Sequence, residues 1–309
     1  MRIVSLLASG TEIVCGLGLA DSLVGISHEC DFPEEVLDRP RVSRPRFDPE
    51  GMGSGEIDRA VRETMARYGS VYEVDADLLA SLRPDLILTQ AVCEVCAVPT
   101  PGVRDLVAER DIGAQVVSLD AHRLEEILGT VGQVGRAAGA PERAEAAIAE
   151  LRGRLDAVAG AVAGRPRPTL LGIEWLDPPF VPGHWVPEMI SLAGAHNLAG
   201  EAGARSVDVA WETFADLDPD TLLIMPCGYG LAAAREDADR HAERLRAAAP
   251  RATAEGRAWV VDASSYFNRS GPRVVRGVEI LAGLLHPDAV PAPTRREAAV
   301  WTPPANGAA

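Results

Sequence analysis

Two blocks of alternating strand and helix signals, separated by one strand-free stretch, restrict this chain to a narrow set of folds. Short apolar runs at residues 3–7, 23–27, 71–74, 85–90 and 115–119 read as strands. Helix signals lie between them: residues 11–19 with Thr11 as N-cap, a helical turn at 77–82 and a helix at 103–110. Alternation of this kind builds a parallel, doubly wound sheet. Residues 122–164 hold no strand candidate; Ala, Glu, Arg and Leu dominate, and Pro141 sits where a helix restarts. A helix over residues 142–163 spans about 33 Å, and Arg165-Pro166-Arg167-Pro168 stops it. The rhythm then resumes, with strands at 170–174, 222–225 and 259–261 and helices at 187–193, 237–248 and 271–284. The expected fold class is α/β, with two doubly wound α/β lobes joined by a single long helix. The expected boundaries are 1–121 for the first lobe, 122–165 for the connecting helix, 166–288 for the second lobe, and 289–309 for a flexible, Pro- and Ala-rich tail, frayed or wrapped on the surface.

Charge narrows the function. The net charge is −15 over 309 residues, which disfavours a nucleic-acid backbone or an anionic membrane as partner. All 30 basic residues are arginine. A Schiff-base lysine and a Walker A lysine are therefore excluded. No apolar run reaches the roughly 18 residues of a membrane span. Glu12 interrupts the apolar start and no small-x-small cleavage site follows, so residues 3–7 read as a buried first strand, not a signal peptide. A cytoplasmic protein with reduced thiols is expected. Export on a leader outside these residues is the alternative.

In an open α/β sheet, ligands bind beyond the carboxyl ends of the strands. Cys30, Cys93, Cys96 and Cys227 all fall just after strand candidates, and His28 and His184 follow similar runs. The turn His28-Glu29-Cys30-Asp31 groups four ligand-type side chains, although Asp31 also suits a helix cap. Cys93-x-x-Cys96 has the spacing that lets two thiolates hold one metal from a turn. His28 and Cys30 would complete a Zn or Fe site with it. A redox pair and two packed thiols are the other readings. Arg44 and Arg46 belong to a short basic loop that suits phosphate or carboxamide groups in a cleft, or a solvated turn on the surface. Gln90 and Glu174 close their strand runs on the same rim. Trp175, Trp185, Tyr229, Tyr266 and Phe267 all sit in post-strand segments and suggest apolar walls for a large planar ligand, or anchors of a lobe core. Asn268 and Arg269 are placed to bond a ligand edge, with Arg273 in the first turn of the last helix. No Gly-x-Ser-x-Gly or His-Glu-x-x-His occurs, and no catalytic residue is assigned.

Several phrases together carry a resemblance. These are Val4 to Glu12, Val24 to Pro33, Leu82-Arg83-Pro84-Asp85-Leu86-Ile87, Pro178 to Gly183, Ser191 to Asn197, and Arg269-Ser270-Gly271-Pro272-Arg273. In this order and spacing the chain resembles the solute-binding proteins of vitamin B12 and iron-siderophore ABC uptake systems, nearest the cobalamin-binding branch. The resemblance implies two lobes joined by a rigid helix, with the ligand held between them. It also implies docking on an ABC permease through an acidic residue on each lobe, here Asp77 and Glu212. The cysteine-bearing loop at 90–96 departs from the family pattern. The expected function is binding of a metal-bearing small ligand, a cobalamin (corrinoid) or iron chelate. The alternative is a cytosolic metalloprotein or enzyme using a Cys/His metal or redox site on the same scaffold.

Overall fold

The computed structural model describes residues 1–91 and 99–304. In the first lobe, β1 (Ile3–Ser5), β2 (Leu23–Ile26), β5 (Leu86–Thr89) and β6 (Gln115–Ser118) form a parallel sheet in the order β2-β1-β5-β6. Its central strands β1 and β5 are buried along their whole length, which explains their Ile3-Val4 and Leu86-Ile87-Leu88 runs. The run at 71–74 does not join this sheet. Its β4 (Tyr72–Val74) pairs antiparallel with β3 (Ser43–Pro45) as a separate ribbon. The cross-strand pair Arg44–Glu73 suits such a ribbon, because charged side chains have no place between two covered faces.

The helices of this lobe are α1 (Ala8–Gly16), α2 (Ser54–Tyr68), α3 (Ala76–Ser81) and α4 (Thr100–Glu109). Asp75 caps α3 by accepting a hydrogen bond from the Leu78 N–H. Thr11 is not a cap. The small residues Ala8, Ser9 and Gly10 are themselves helical, so α1 starts almost directly after β1 and Thr11 lies within it.

Residues 122–165 form two packed helices, α5 (Leu124–Ala137) and α6 (Pro141–Val162). Pro141 opens α6 at its first turn, where its missing N–H costs nothing. Gly135 allows their close approach: a Cβ there would lie 2.3 Å from the Ala144 Cβ. Helix α6 is the longer connector.

The second lobe opens with β7 (Thr169–Ile173), β8 (Trp175–Leu176) and β9 (Pro179–Val181), then α7 (Val186–Leu192), β10 (His196–Asn197) and β11 (Val207–Asp208). Next come β12 (Thr221–Ile224), α8 (Leu231–Arg240), α9 (Ala242–Ala248), α10 (Pro250–Ala254), β13 (Ala258–Val261), α11 (Ala263–Tyr266), α12 (Val274–Leu285) and β14 (Ala298–Val300). The main sheet has the order β10-β7-β12-β13-β14, parallel except for β14. A small antiparallel sheet, β11-β9-β8, stands beside it.

Residues 298–301 correct the expectation of a loose tail. Strand β14 extends the main sheet, and Trp301 is wholly buried with its Nε1–H on the Asp239 carboxylate at 2.8 Å. One large aromatic outweighs a Pro-rich approach, because its burial supplies stabilisation on the order of 3 kcal/mol.

One core runs through both lobes. It joins Ile3, Leu88, Ile127, Leu151, Met189 and Leu281, so α5, α6 and α12 belong to a common packed interior.

Candidate functional site

Loops from the carboxyl ends of the two sheets meet face to face. Arg269, after β13, donates to the Asp31 carboxylate and, at 3.0 Å, to the Glu29 carbonyl, both after β2. Arg273 forks onto Glu12 of α1, with bonds of 3.0 and 2.6 Å. Ser270 approaches the Gln90 side-chain oxygen at 3.4 Å. Elsewhere, Ser54 at the start of α2 donates to Asp237 of α8 at 3.1 Å. Two sets of polar contacts thus tie the lobes to each other. Burial raises the Glu12 carboxyl above its ordinary range, although Arg273 pulls it back down.

The first lobe supplies an aromatic and imidazole wall. The His28 ring packs on Tyr72 with centroids 4.7 Å apart. Its Nδ1 bonds Ser43 Oγ at 2.8 Å, and its Nε2 lies 3.2 Å from the Glu29 carboxylate. That hydrogen bond holds Glu29 below its usual range. Burial raises the Tyr72 hydroxyl above its usual range, and the charges of Glu29 and of Cys227 from the other lobe push the same way.

The second lobe answers with Trp175 and Tyr229, edge to face at 5.3 Å. The Trp175 Nε1–H is tied to the Asp177 carbonyl at 3.2 Å. Glu174 accepts a 2.8 Å hydrogen bond from Ser206, yet burial pushes its pKa up to about 7. Burial also pushes the Cys227 thiol up to about 12, which leaves it protonated and poorly nucleophilic. Asn268 accepts from the Gly228 N–H at 3.3 Å, while its Nδ2 is buried without a partner among the described residues. His184 stands parallel to His122 at the start of the connecting segment, centroids 5.5 Å apart, and burial lowers its pKa.

Not every expected residue is free for a ligand. Trp185 and Phe267 are core: Phe267 is fully buried, and its carbonyl accepts the Trp185 Nε1–H at 2.7 Å. Arg44 is engaged by Glu73, and Arg46 bonds the Tyr72 carbonyl and covers the Tyr68 ring. Asp31 and Arg269 are committed to each other. Tyr266 remains partly exposed beside Arg273. Cys30 turns inward, its sulfur 3.1 Å from Thr11 Oγ1 and its thiol raised by burial. It cannot share an ion with His28, whose ring points to Ser43 and Tyr72. Cys93 and Cys96 lie outside the described residues. Among the described residues no group of three His, Cys, Asp or Glu side chains is placed to hold a metal. A groove of about 830 Å³ between α5, α6 and α7 is lined by Leu124, Leu155, Pro187 and Leu192, with Asn197 at the end of β10 and Gly200 after it.

Tyr72, Glu12 and Asp237 are the residues that sequence reasoning passed over. Tyr72 carried a usable signal, since aromatic residues are only 5% of the chain. Glu12 and Asp237 carried none, because carboxylates on helices are ordinarily solvated.

The periplasmic binding protein family model matches residues 3–263. An uncharacterized ABC transporter substrate-binding lipoprotein, YvrC, of Bacillus subtilis is 24% identical over 294 residues, covering 93% of this chain and 80% of that protein. A vitamin B12-binding protein of Vibrio cholerae is 23% identical over 281 residues, covering 90% and 86%. A crystal structure of a periplasmic heme-binding protein from Pseudomonas aeruginosa superposes with a TM-score of 0.72 at 25% identity, covering 97% of this chain and 99% of the other.

Proposed function

The chain belongs to the periplasmic binding protein family, and we propose that it binds a metal-bearing macrocycle, a cobalamin or a heme-type iron chelate, in the crevice between its lobes. One observation carries this reading: the loops beyond the carboxyl ends of the two sheets meet through Arg269–Asp31 and Arg273–Glu12, and each lobe carries a ring pair, His28–Tyr72 on one and Trp175–Tyr229 on the other. Flat apolar walls desolvate a flat ligand, and a few polar groups orient it. Glu29, Glu174 and Asn268 are the polar groups we assign to ligand-edge contacts. His28 is the imidazole we assign to the metal, reached when Glu29 swings off Nε2.

Titration with cyanocobalamin and with hemin, followed in the visible spectrum, tests the reading. We expect one of them to bind saturably and His28→Ala to shift the bound spectrum. Absence of binding by both at roughly 50 μM, far above the affinities expected of a scavenging protein, overturns it. The competing reading, a resident Zn or Fe held by the chain's own Cys93, Cys96 and His28, predicts stoichiometric metal in the purified protein that Cys93→Ser removes.

An ABC permease is the partner we assign, met through Asp77 and Glu212. Both are exposed, and Asp77 is engaged by Arg110. The double variant Asp77→Arg, Glu212→Arg should bind ligand normally but lose co-purification with the permease. This assigned partnership favours the exported alternative over a cytoplasmic location. Cell fractionation decides between the two.

A further inference from the structure

The free edge of the second lobe's main sheet carries features the crevice does not use. Strand β14 ends that sheet, and no other described strand pairs with its outer side. Trp301 donates to the Ala258 carbonyl and the Glu297 carbonyl accepts from Asp262. In an antiparallel pair the backbone groups alternate. The Val300 N–H and C=O therefore point away from β13, and no partner holds them among the described residues. Val300 itself is 38% exposed.

A groove of about 860 Å³ runs along this edge, with Trp259, Leu284 and Ala298 among its apolar lining. Arg235, Arg295 and Arg296 also line it. None of the three makes an ion pair or side-chain hydrogen bond among the described residues. In a chain of net charge −15, most arginines have carboxylate or carbonyl partners close by. Three unpaired guanidinium groups on one groove form a local cationic site in an acidic surface.

We infer that this edge is a docking site for an extended acidic segment of a partner protein, which adds a strand to β14 and sets its carboxylates against Arg235, Arg295 and Arg296. The unpaired backbone supplies main-chain hydrogen bonds, the apolar lining takes alternate side chains, and the arginines choose the charge. A second copy of this chain does not fit. Symmetric pairing of two β14 edges would bring both sets of arginines together, and like charges at a strand pair repel. Residues 305–309 do not fit either, since they contain no acidic side chain.

The probe is an octapeptide of alternating Val and Glu, acetylated and fluorescein-labelled, followed by anisotropy against the full chain. Saturable binding is expected, with a Kd on the order of 100 μM. The triple variant Arg235→Gln, Arg295→Gln, Arg296→Gln should weaken it about tenfold. The same peptide with N-methylated amides keeps its charge but loses its strand donors, and should also bind about tenfold more weakly. This control leaves the protein untouched, so it reads out strand addition even if a β14 variant misfolds. No saturable binding up to about 1 mM, equal binding of a Val/Lys octapeptide, or capture of phosphatidylglycerol vesicles in place of the peptide each overturns the proposal.

Discussion

Replacing Arg273 with Met should destabilise the protein in a way that depends on pH. Arg273 is bonded twice to Glu12, whose side chain is only 3% exposed, while Arg273 itself is 19% exposed. Its guanidinium also covers the Phe32 ring at 4.7 Å. Met keeps most of that apolar contact and removes only the charge and its hydrogen bonds. A buried carboxylate then loses both its hydrogen bonds and keeps only the more distant Arg269, 3.9 Å away, at a cost of about 3–5 kcal/mol. For a chain of this length that is a fall in Tm of roughly 6–10 °C. Glu12 titrates above its ordinary 4.5 in the folded protein because burial outweighs its arginines. Between the unfolded and folded pKa the native state binds more protons, so stability falls as pH rises through that window. Without Arg273 the folded pKa rises further and the window widens toward neutrality. The deficit of Arg273→Met should therefore be larger at pH 8 than at pH 5, by thermal denaturation followed by circular dichroism. Glu12→Gln in the same background should recover most of it, since a neutral amide needs no counter-charge. A deficit that is flat with pH, or a double variant no better than the single, refutes the assignment of the effect to a buried carboxylate.

Glu174 titrates near 7 in the folded protein against an ordinary 4.5, so stability should fall as pH rises from about 4.5 through 7. Glu174→Gln should flatten that slope and raise stability at pH 8 by on the order of 2 kcal/mol in urea melts. Trp301→Ala should cost about 3–5 kcal/mol, because it empties a fully buried site; a change within 1 kcal/mol would return the chain end to the status of a surface tail. Cys227, with its thiol pushed up to about 12, should react with iodoacetamide at pH 7.5 far more slowly than free cysteine, read by peptide mass spectrometry.

The lobes were legible because their central strands are buried on both faces and read as continuous apolar runs, as at 86–88 and 222–224. Helix α6 was legible from Pro141 and from the absence of any strand signal up to Gly164. The site was less so. A post-strand position places a residue on the rim but does not say which way its side chain turns. His28 and Cys30 are two residues apart in one turn, yet one faces Tyr72 and the other packs under α1. Trp185 follows His184 directly and is core, because its indole N–H finds the Phe267 carbonyl. Strand β14 was missed for a different reason. Its pairing with β13 joins segments some forty residues apart, and a three-residue edge strand has no periodicity to detect.

The pairing across the crevice limits how the protein can respond to a ligand. A hinge needs a boundary where few contacts cross, but here one core passes through α5, α6 and α12 into both lobes. Arg154 of α6 is also forked onto Glu279 of α12 by bonds of 2.8 and 3.0 Å. Opening the lobes widely would break that interior and separate Glu12 from Arg273 and Ser54 from Asp237, at a cost of several kcal/mol that ligand binding would have to offset. Local rearrangement is far cheaper. Glu29 leaving His28, or Arg269 leaving Asp31, exposes charge only at the partly solvated rim. Admission of ligand should therefore proceed by side-chain exchange at the rim. Small-angle scattering curves of the free and ligand-saturated protein should superimpose, while Arg269→Ala should speed ligand entry in stopped-flow. A clear drop in radius of gyration on binding would show instead that the connector bends and that the continuous core yields.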